Sequence, residues 1–296
     1  MIKTPVVRAI LISLLALVLF DFMGLIIKRL SADYSAAELS AYRNIVGIVP
    51  SLIALWTSRD WHQKGRIYRV RQWPLVCLRG VIVTFAQLMF YLSLGLISFA
   101  TATTISYSSA LFTTIFAIIL LHERVGAIRW LAVIIGFAGV LMVTGIGREA
   151  FSWQALLPVG AAALYSLSGV TARLIDEDVP SALVNLYSSV FAVFGSLILA
   201  LALGGFSPLQ SLPDLGWIAA MGGFGGVAVL CLTISYRMTE QSNLAPFSYF
   251  GIPFAFVAGW FFFGEAPLNA LFPGALLIVL GGLLVIWRER QIRNRV

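Results

Sequence analysis

Asp21 and Arg43 stand inside otherwise apolar stretches, Val6–Ile27 and Ala36–Trp56. Ionisable side chains in such runs are costly, so they mark function by default. Each lies about seven residues, ~10 Å at the helical rise, from the same end of its run. Equal depth on successive segments predicts an ion pair, and the pair has two readings. One is a structural clamp, because pairing is the least costly state of a buried charge. In the other, Arg43 draws a substrate carboxylate and Asp21 its ammonium. An Asp21 held by Arg43 is a poor proton carrier, so the expectation is facilitated flux without obligatory proton exchange.

Polar and aromatic residues inside the runs form a second constellation. Thr103, Tyr107 and Thr114 recur at helical spacing, with Thr104 and Ser108 beside them, and Asn243, Ser248 and Tyr249 lie in a later run. Gln87 and Tyr91 are four apart and share a helix face. Tyr165, Asn185, Tyr187, Ser235 and Tyr236 complete the set. A single Ser, Thr or Asn in lipid commonly serves interhelical hydrogen bonding. A buried phenol needs a partner or water, so the tyrosines point to a wet cavity with aromatic walls. The expected substrate-binding residues are Arg43, Gln87, Tyr91, Thr103, Tyr107, Tyr165, Asn185, Tyr187, Tyr236 and Tyr249.

Other chemistries find little to work with. His62 and His122 are the only histidines, both at or outside the ends of runs, and no His-Glu-x-x-His pattern occurs. Cys77 and Cys231 lie in apolar runs and offer neither a disulfide framework nor metal spacing. Gly222, Gly223, Gly225 and Gly226 let another backbone approach, for packing or for sliding. They form no phosphate loop, because neither a preceding strand nor a Lys-Ser or Lys-Thr accompanies them. No enzyme, cofactor or metal is expected.

These residues need elements to hold them. The chain has 296 residues, 60% hydrophobic and 11% charged, against about 25% charged in soluble domains. Too few charges remain to cover a water-facing surface, so the solvent is lipid. Ten apolar runs follow one another: Val6–Ile27, Ala36–Trp56, Trp73–Ile97, Phe99–Leu121, Ala127–Ile146, Ser152–Leu174, Pro180–Leu203, Leu212–Tyr236, Asn243–Phe263 and Leu268–Trp287. Each is near the ~20 residues that span a bilayer as a helix, the form that satisfies its own backbone there. Tryptophans 56, 61, 73, 130, 153, 217 and 287 fall at run ends, as interfacial anchors do.

The chain also repeats itself. A shift of 142 residues puts Ser106-Tyr107 on Ser248-Tyr249, Phe112 on Phe254, Glu123 on Glu265 and Gly139 on Gly281. Gly80 falls on Gly222 and Ser93 on Ser235. The expected units are residues 1–147 and 148–296. Five spans is an odd number, so the halves are inverted, an arrangement characteristic of secondary transporters. With the N-terminus inside, fifteen of the 20 basic residues fall on inner segments, among them Lys3, Arg59, Lys64, Arg124, Arg237 and Arg288. Lys28, Arg29 and Arg148 fall outside. This asymmetry sets both termini in the cytoplasm, and the net charge of +7 reports topology rather than nucleic acid.

Each half ends in an apolar run, a glutamate, a short loop and a glycine-bearing helix: Leu120-Leu121-His122-Glu123 through Gly136 and Gly139, then Phe263-Gly264-Glu265 through Gly274 and Gly281. This resembles the tandem EamA repeat of the drug/metabolite transporter superfamily over nearly the whole chain. Arg43 matches the arginine usual early in the second helix. Within the superfamily the chain looks most like the YddG-type exporters of aromatic and other amino acids. The family often has proline in helices four and nine; here Pro246 and Pro253 face Thr104 and Leu111, so no symmetric kink is expected in helix four. The resemblance implies an all-α integral membrane protein of ten transmembrane helices in two inverted five-helix repeats. It would sit in the inner membrane and export small amphipathic metabolites, foremost aromatic or neutral amino acids, by alternating access through a central cavity. Its partners would be the lipid bilayer and that substrate. The rival readings are a drug or nucleotide-sugar carrier on the same fold, or a channel.

Overall fold

The computed structural model describes residues 4–63, 65, 70–122, 126–144, 152–175, 179, 181–238, 247, 249–265 and 268–293. Glu123, Asn243, Pro246 and Ser248 lie outside the described residues, as does the side chain of Tyr236. The described residues are helical, in the order α1 (Thr4–Leu30), α2 (Ala36–Thr57), the short α3 (Arg59–Gln63), α4 (Trp73–Leu96), α5 (Phe99–Ser106), α6 (Ser109–Leu121) and α7 (Ala127–Thr144). Then come α8 (Leu156–Thr171), α9 (Ser181–Ala202), α10 (Leu212–Met238), α11 (Gly251–Phe263), the short α12 (Leu268–Leu271) and α13 (Gly274–Arg293).

Among the described residues six spans are long and apolar enough to cross a membrane: Val7–Leu30, Ala36–Thr57, Trp73–Leu96, Phe99–Leu121, Leu183–Ala202 and Leu212–Leu232. Trp130–Thr144, Gly251–Phe263 and Gly274–Leu284 are shorter apolar helices. Large apolar side chains such as Ile134, Ile198, Leu201 and Phe261 stand exposed on the outer faces. Patches of that kind would aggregate in water, and lipid removes the penalty. Six of the seven expected anchor tryptophans are exposed: 56, 73, 130, 153, 217 and 287. Trp61 departs from the expectation. It is buried in a cluster with Leu55, Val70, Val76, Ile175 and Leu183, where it plugs the junction of α2, α4 and α9.

Helix ends follow local chemistry. Ser35 and Glu38 form a reciprocal capping box that starts α2, and Ser98 caps α5 by accepting from the Thr101 N–H. His122 and Gly264, 142 residues apart, both take left-handed backbone (φ 52° and 67°) and end α6 and α11. The left-handed stop turns the chain out of the helix and satisfies its last carbonyls. That geometry is what the repeated apolar-run-then-glutamate pattern encodes.

The fourth apolar run is broken. α5 ends at Ser106 and α6 begins at Ser109, with a tight turn between them in which the Ser108 N–H bonds to Ile105 O at 3.0 Å. Tyr249 and Phe250 form the matching turn before α11. The break in helix four therefore forms without the proline whose absence argued against it. Beside the break, Ser109 O at the start of α6 accepts from Ser166 Oγ of α8 at 2.6 Å, a side-chain bond that ties the two helices together.

Close contacts repeat when the halves are exchanged. A side chain begun at Gly139 would meet Gly274 O at 2.6 Å, and one begun at Gly281 would meet Ala132 O at 2.7 Å. These are the same contact after a 142-residue shift. Gly80 lies against Ser188 O on α9, and Gly222 lies against Val46 on α2. Thr84 reaches Ala192 O at 3.5 Å, and Gly226 packs on Pro50. At helix level α1 packs on α10 as α4 packs on α8, and α2 on α10 as α4 on α9. α5 begins where α11 ends, because the Phe99 N–H bonds to Glu265 there. The repeat-related segments thus run antiparallel.

Candidate functional site

Arg43 lies on α2 with its guanidinium against α10. Its Nη1 donates to Asn44 Oδ1 at 3.0 Å, while Nε is buried without a partner. A side chain begun at Gly225 would stand 3.0 Å from Nε and 3.3 Å from Nη2, so this edge of the guanidinium faces the α10 backbone. The Tyr91 and Tyr165 phenols lie within electrostatic reach of the Arg43 guanidinium.

Asp21 does not pair with it. Among the described residues Arg43 has no carboxylate partner, and Asp21 Oδ2 is buried with none. The expected ion pair failed on topology and on azimuth. α10 lies between α1 and α2, packing along both, so sequence neighbours are not spatial neighbours here. α1 presents Met23 to the Gly225 and Arg43 contact. Asp21, two residues earlier, points roughly 200° away round the helix. It lies instead within electrostatic reach of Tyr107. The premise for uncoupled flux, a carboxylate neutralised by Arg43, is therefore absent.

Tyr107 and Tyr249 sit at the two helix breaks with ring centroids 5.9 Å apart. The Tyr107 hydroxyl occupies the space a Cβ at Gly251 would take, and the Tyr249 hydroxyl does the same at Gly282. Thr104 Oγ1 and Ser108 Oγ, one turn apart across the first break, are buried and unpartnered, as is the Tyr249 hydroxyl. Thr103 is buried beside them, its carbonyl accepting from the Tyr107 N–H. Asp21, Thr104, Tyr107, Ser108 and Tyr249 make one polar group; Arg43, Tyr91 and Tyr165 make the other.

Gln87 is a buried strut whose Oε1 accepts from Ser40 Oγ at 3.1 Å and from Asn44 Nδ2 at 2.8 Å. Asn44 Nδ2 also meets Ala192 O and Ser196 Oγ at 3.3 and 3.2 Å, joining α2, α4 and α9. Asn185 donates to Ser51 Oγ at 3.1 Å, about two turns along α9 from Ala192. Tyr187 packs beside the Trp61 cluster. Asn185 and Tyr187 thus belong to that end of the bundle, away from the two charges. Sequence reasoning passed over Asn44, although an asparagine next to an arginine in an apolar run is the kind of signal that finds it.

The opposite end is tied together by a charged cluster. Lys28 Nζ lies 3.0 Å from Glu265 Oε1 and donates to Leu94 O and Ile97 O at 3.1 and 2.8 Å. Glu265 Oε2 accepts from the Phe99 N–H at 2.9 Å, at the positive end of α5. Nearby, Tyr34 donates to Asp214 Oδ2 and accepts from the Gln210 N–H, both at 3.0 Å, while Glu38 accepts from the Ser207 N–H. The repeat glutamate Glu265 is thus a clamp between α1, α4, α5 and α11.

The model of the EamA-like transporter family matches this chain twice, over residues 7–145 and 152–287. An S-adenosylmethionine uptake transporter of Rickettsia felis is 26% identical over 288 residues, covering 95% of this chain and 93% of the relative. A pseudopaline exporter of Pseudomonas aeruginosa is 24% identical over 275 residues, covering 92% and 93%. A riboflavin transporter of Rhizobium johnstonii is 32% identical over 186 residues, covering 62% and 60%. A solved crystal structure matches 96% of this chain and 98% of its own at a TM-score of 0.64 and 21% identity, a likeness of fold. These three relatives are named for cargoes other than the expected aromatic or neutral amino acids, and for both uptake and export.

Proposed function

Because this chain belongs to the EamA-like transporter family, and is thereby a multi-pass membrane transporter, we propose that its cargo is a small amphipathic zwitterion, foremost an aromatic or neutral amino acid. One observation carries this reading: two ionisable groups of opposite type inside the bundle, Asp21 and Arg43, are not paired with each other, and tyrosines lie within electrostatic reach of both. Leaving such groups without a partner in low dielectric is costly, and a bound ligand relieves that cost. A substrate with one carboxylate and one ammonium supplies both partners, and the tyrosines supply contact for its apolar part.

S-adenosylmethionine carries such an amino acid end, which supports a zwitterion as cargo. Outward flux in the inner membrane is part of the proposal: the pseudopaline relative is named for that direction and the S-adenosylmethionine relative for the reverse. Ten spans, in inverted units 1–147 and 148–296, suit a site between the halves. The excess of Lys and Arg on the opposite side argues that the Lys28 end faces outward and that both termini are cytoplasmic. In this reading the Lys28–Glu265 clamp opens whenever cargo exchanges with the outside.

Counterflow in proteoliposomes tests the reading. Unlabelled phenylalanine, leucine, S-adenosylmethionine or riboflavin is loaded inside, and entry of the labelled form is measured. Zwitterions should accelerate entry. Acceleration by riboflavin alone would refute the proposal.

A further inference from the structure

Arg79, like Arg43, stands inside an apolar run. It lies on α4, six residues or ~9 Å from Trp73, at the end remote from the Lys28 clamp. It is half-buried, its Nε is buried without a hydrogen-bond partner, and among the described residues no carboxylate meets it. An ionisable group so placed within a membrane segment marks function by default.

Its direction follows from its neighbours on the helix. Val81, Phe85 and Leu92 form the exposed, lipid-facing stripe of α4. Arg79 points roughly 140° round the helix from that stripe. Gly80 packs on Ser188 O and Phe191 of α9, and Met89 packs on Gly160 of α8. Arg79 falls between those two contact faces, on the inward side.

Open space lies on that side. Tyr165 of α8 is within electrostatic reach of Tyr91 on α4 and Arg43 on α2, so it points into the bundle, yet it is 36% exposed. Gly169, one turn further along the same face, is exposed too, and a Cβ there would meet nothing within 4 Å. The Gln72 side chain donates to Leu174 O at 3.3 Å, which sets the start of α4 beside the end of α8. Gly169 and Arg79 therefore lie at similar depth, five residues from Leu174 and seven from Gln72. Gln87, eight residues beyond Arg79, bonds to Asn44 next to Arg43, so the two arginines stand ~12 Å apart along the bundle. Tyr165 lies on the way from one to the other.

We infer that Arg79 is an entry subsite for the carboxylate of the cargo, at the mouth of a passage that runs past Gly169 and Tyr165 to Arg43. The inference rests on the zwitterion reading and adds the place where cargo is first held. In the outward direction proposed above, this mouth is the loading side.

The test reads access and charge at Gly169→Cys, in protein carrying Cys77→Ala and Cys231→Ala, in membrane vesicles that expose the cytoplasmic face. Reaction rates are measured with an anionic and a cationic methanethiosulfonate, each relative to its rate with a free thiol. Gly169→Cys should react faster than Val81→Cys on the lipid face and should favour the anionic reagent. Arg79→Gln should cut that preference about fivefold, the effect of one charge at roughly 8 Å through water on reagents of opposite sign. Arg79→Lys should restore it. Phenylalanine should slow the reaction when Arg79 is present and not in Arg79→Gln, because cargo held at Arg43 lies deeper. Equal reaction at positions 169 and 81 would remove the passage, and an unchanged preference in Arg79→Gln would remove the subsite; either overturns the inference and leaves the zwitterion reading standing. A preference that appears only after Asp176, Glu177 and Asp178 are neutralised together would assign Arg79 to that acidic segment and overturn the inference as well. The expected charge selectivity without protection by any amino acid would overturn the zwitterion reading and this subsite with it.

Discussion

Lys28 and Glu265 join α1 to α11, and their side chains are 11% and 28% exposed. A fully buried pair that loses one partner costs about 3–5 kcal/mol, because the other charge is stranded. An exposed pair contributes at most about 1 kcal/mol. Lys28 also satisfies two carbonyls where α4 gives way to α5, Leu94 O and Ile97 O, which water would replace only in part. Lys28→Met should therefore cost about 2 kcal/mol, between those limits. Glu265→Gln should cost less, since an amide oxygen still accepts from the Phe99 N–H. In a double-mutant cycle the pair should couple by about 1–2 kcal/mol. Thermal unfolding in detergent, followed by tryptophan fluorescence, should show Lys28→Met melting roughly 4–8 °C early, at about 2–4 °C per kcal/mol. A cysteine at Thr101, buried just inside the clamp, should meanwhile react faster with an impermeant maleimide. Additive single effects, or unchanged labelling, would refute the claim that this bridge holds the end shut.

Charge exchange separates the observed arrangement from an ion pair: Asp21→Arg with Arg43→Asp should express and transport no better than either single change, and recovery would mean the pair forms. Gly282→Ala and Gly251→Ala intrude on the Tyr249 and Tyr107 hydroxyls and should each cost about 1–3 kcal/mol by overpacking, read as a lower melting temperature. Replacing the matching tyrosine by Phe should restore most of that loss, and no restoration would refute the seating of those hydroxyls. Gly139→Leu should abolish folded protein on size exclusion, because Gly274 O and Ile278 N leave no room for a side chain. A cysteine at Gln63 should resist impermeant thiol reagents in intact cells while one at Gln210 reacts; the reverse would invert the proposed topology.

Much of the helical architecture was legible because lipid imposes a crude rule: apolar runs of about twenty residues must be helices, and among the described residues six of the ten runs are long and apolar enough to span. The 142-residue repeat aligns with contacts that recur in the structure, and Gly139 on Gly274 against Gly281 on Ala132 repeats to the residue. What the sequence hid was azimuth. Depth along a helix can be read from position, but the neighbour that a face meets depends on packing order. Asp21 and Arg43 matched in depth and were separated by α10. Gln87 showed the same limit, since the partners its face meets, Asn44 and Ser40, could not be read from its own run. The break at Tyr107 escaped notice because it lacks proline; the unpaired hydroxyls of Thr104 and Ser108 mark it only once the turn is seen. Lys28 looked like an ordinary loop charge until its partner, 237 residues further on, came beside it.

The two-pole site is tested most directly by crossing substrate changes with residue changes. Uptake of a free amino acid, its N-acetyl derivative and its carboxamide would be measured in proteoliposomes holding wild-type protein, Asp21→Asn or Arg43→Gln. The account predicts that Asp21→Asn erases the preference for a free amine and keeps that for a carboxylate, and that Arg43→Gln does the opposite. Equal loss of both preferences in each variant, or a wild-type protein indifferent to all three compounds, would contradict it.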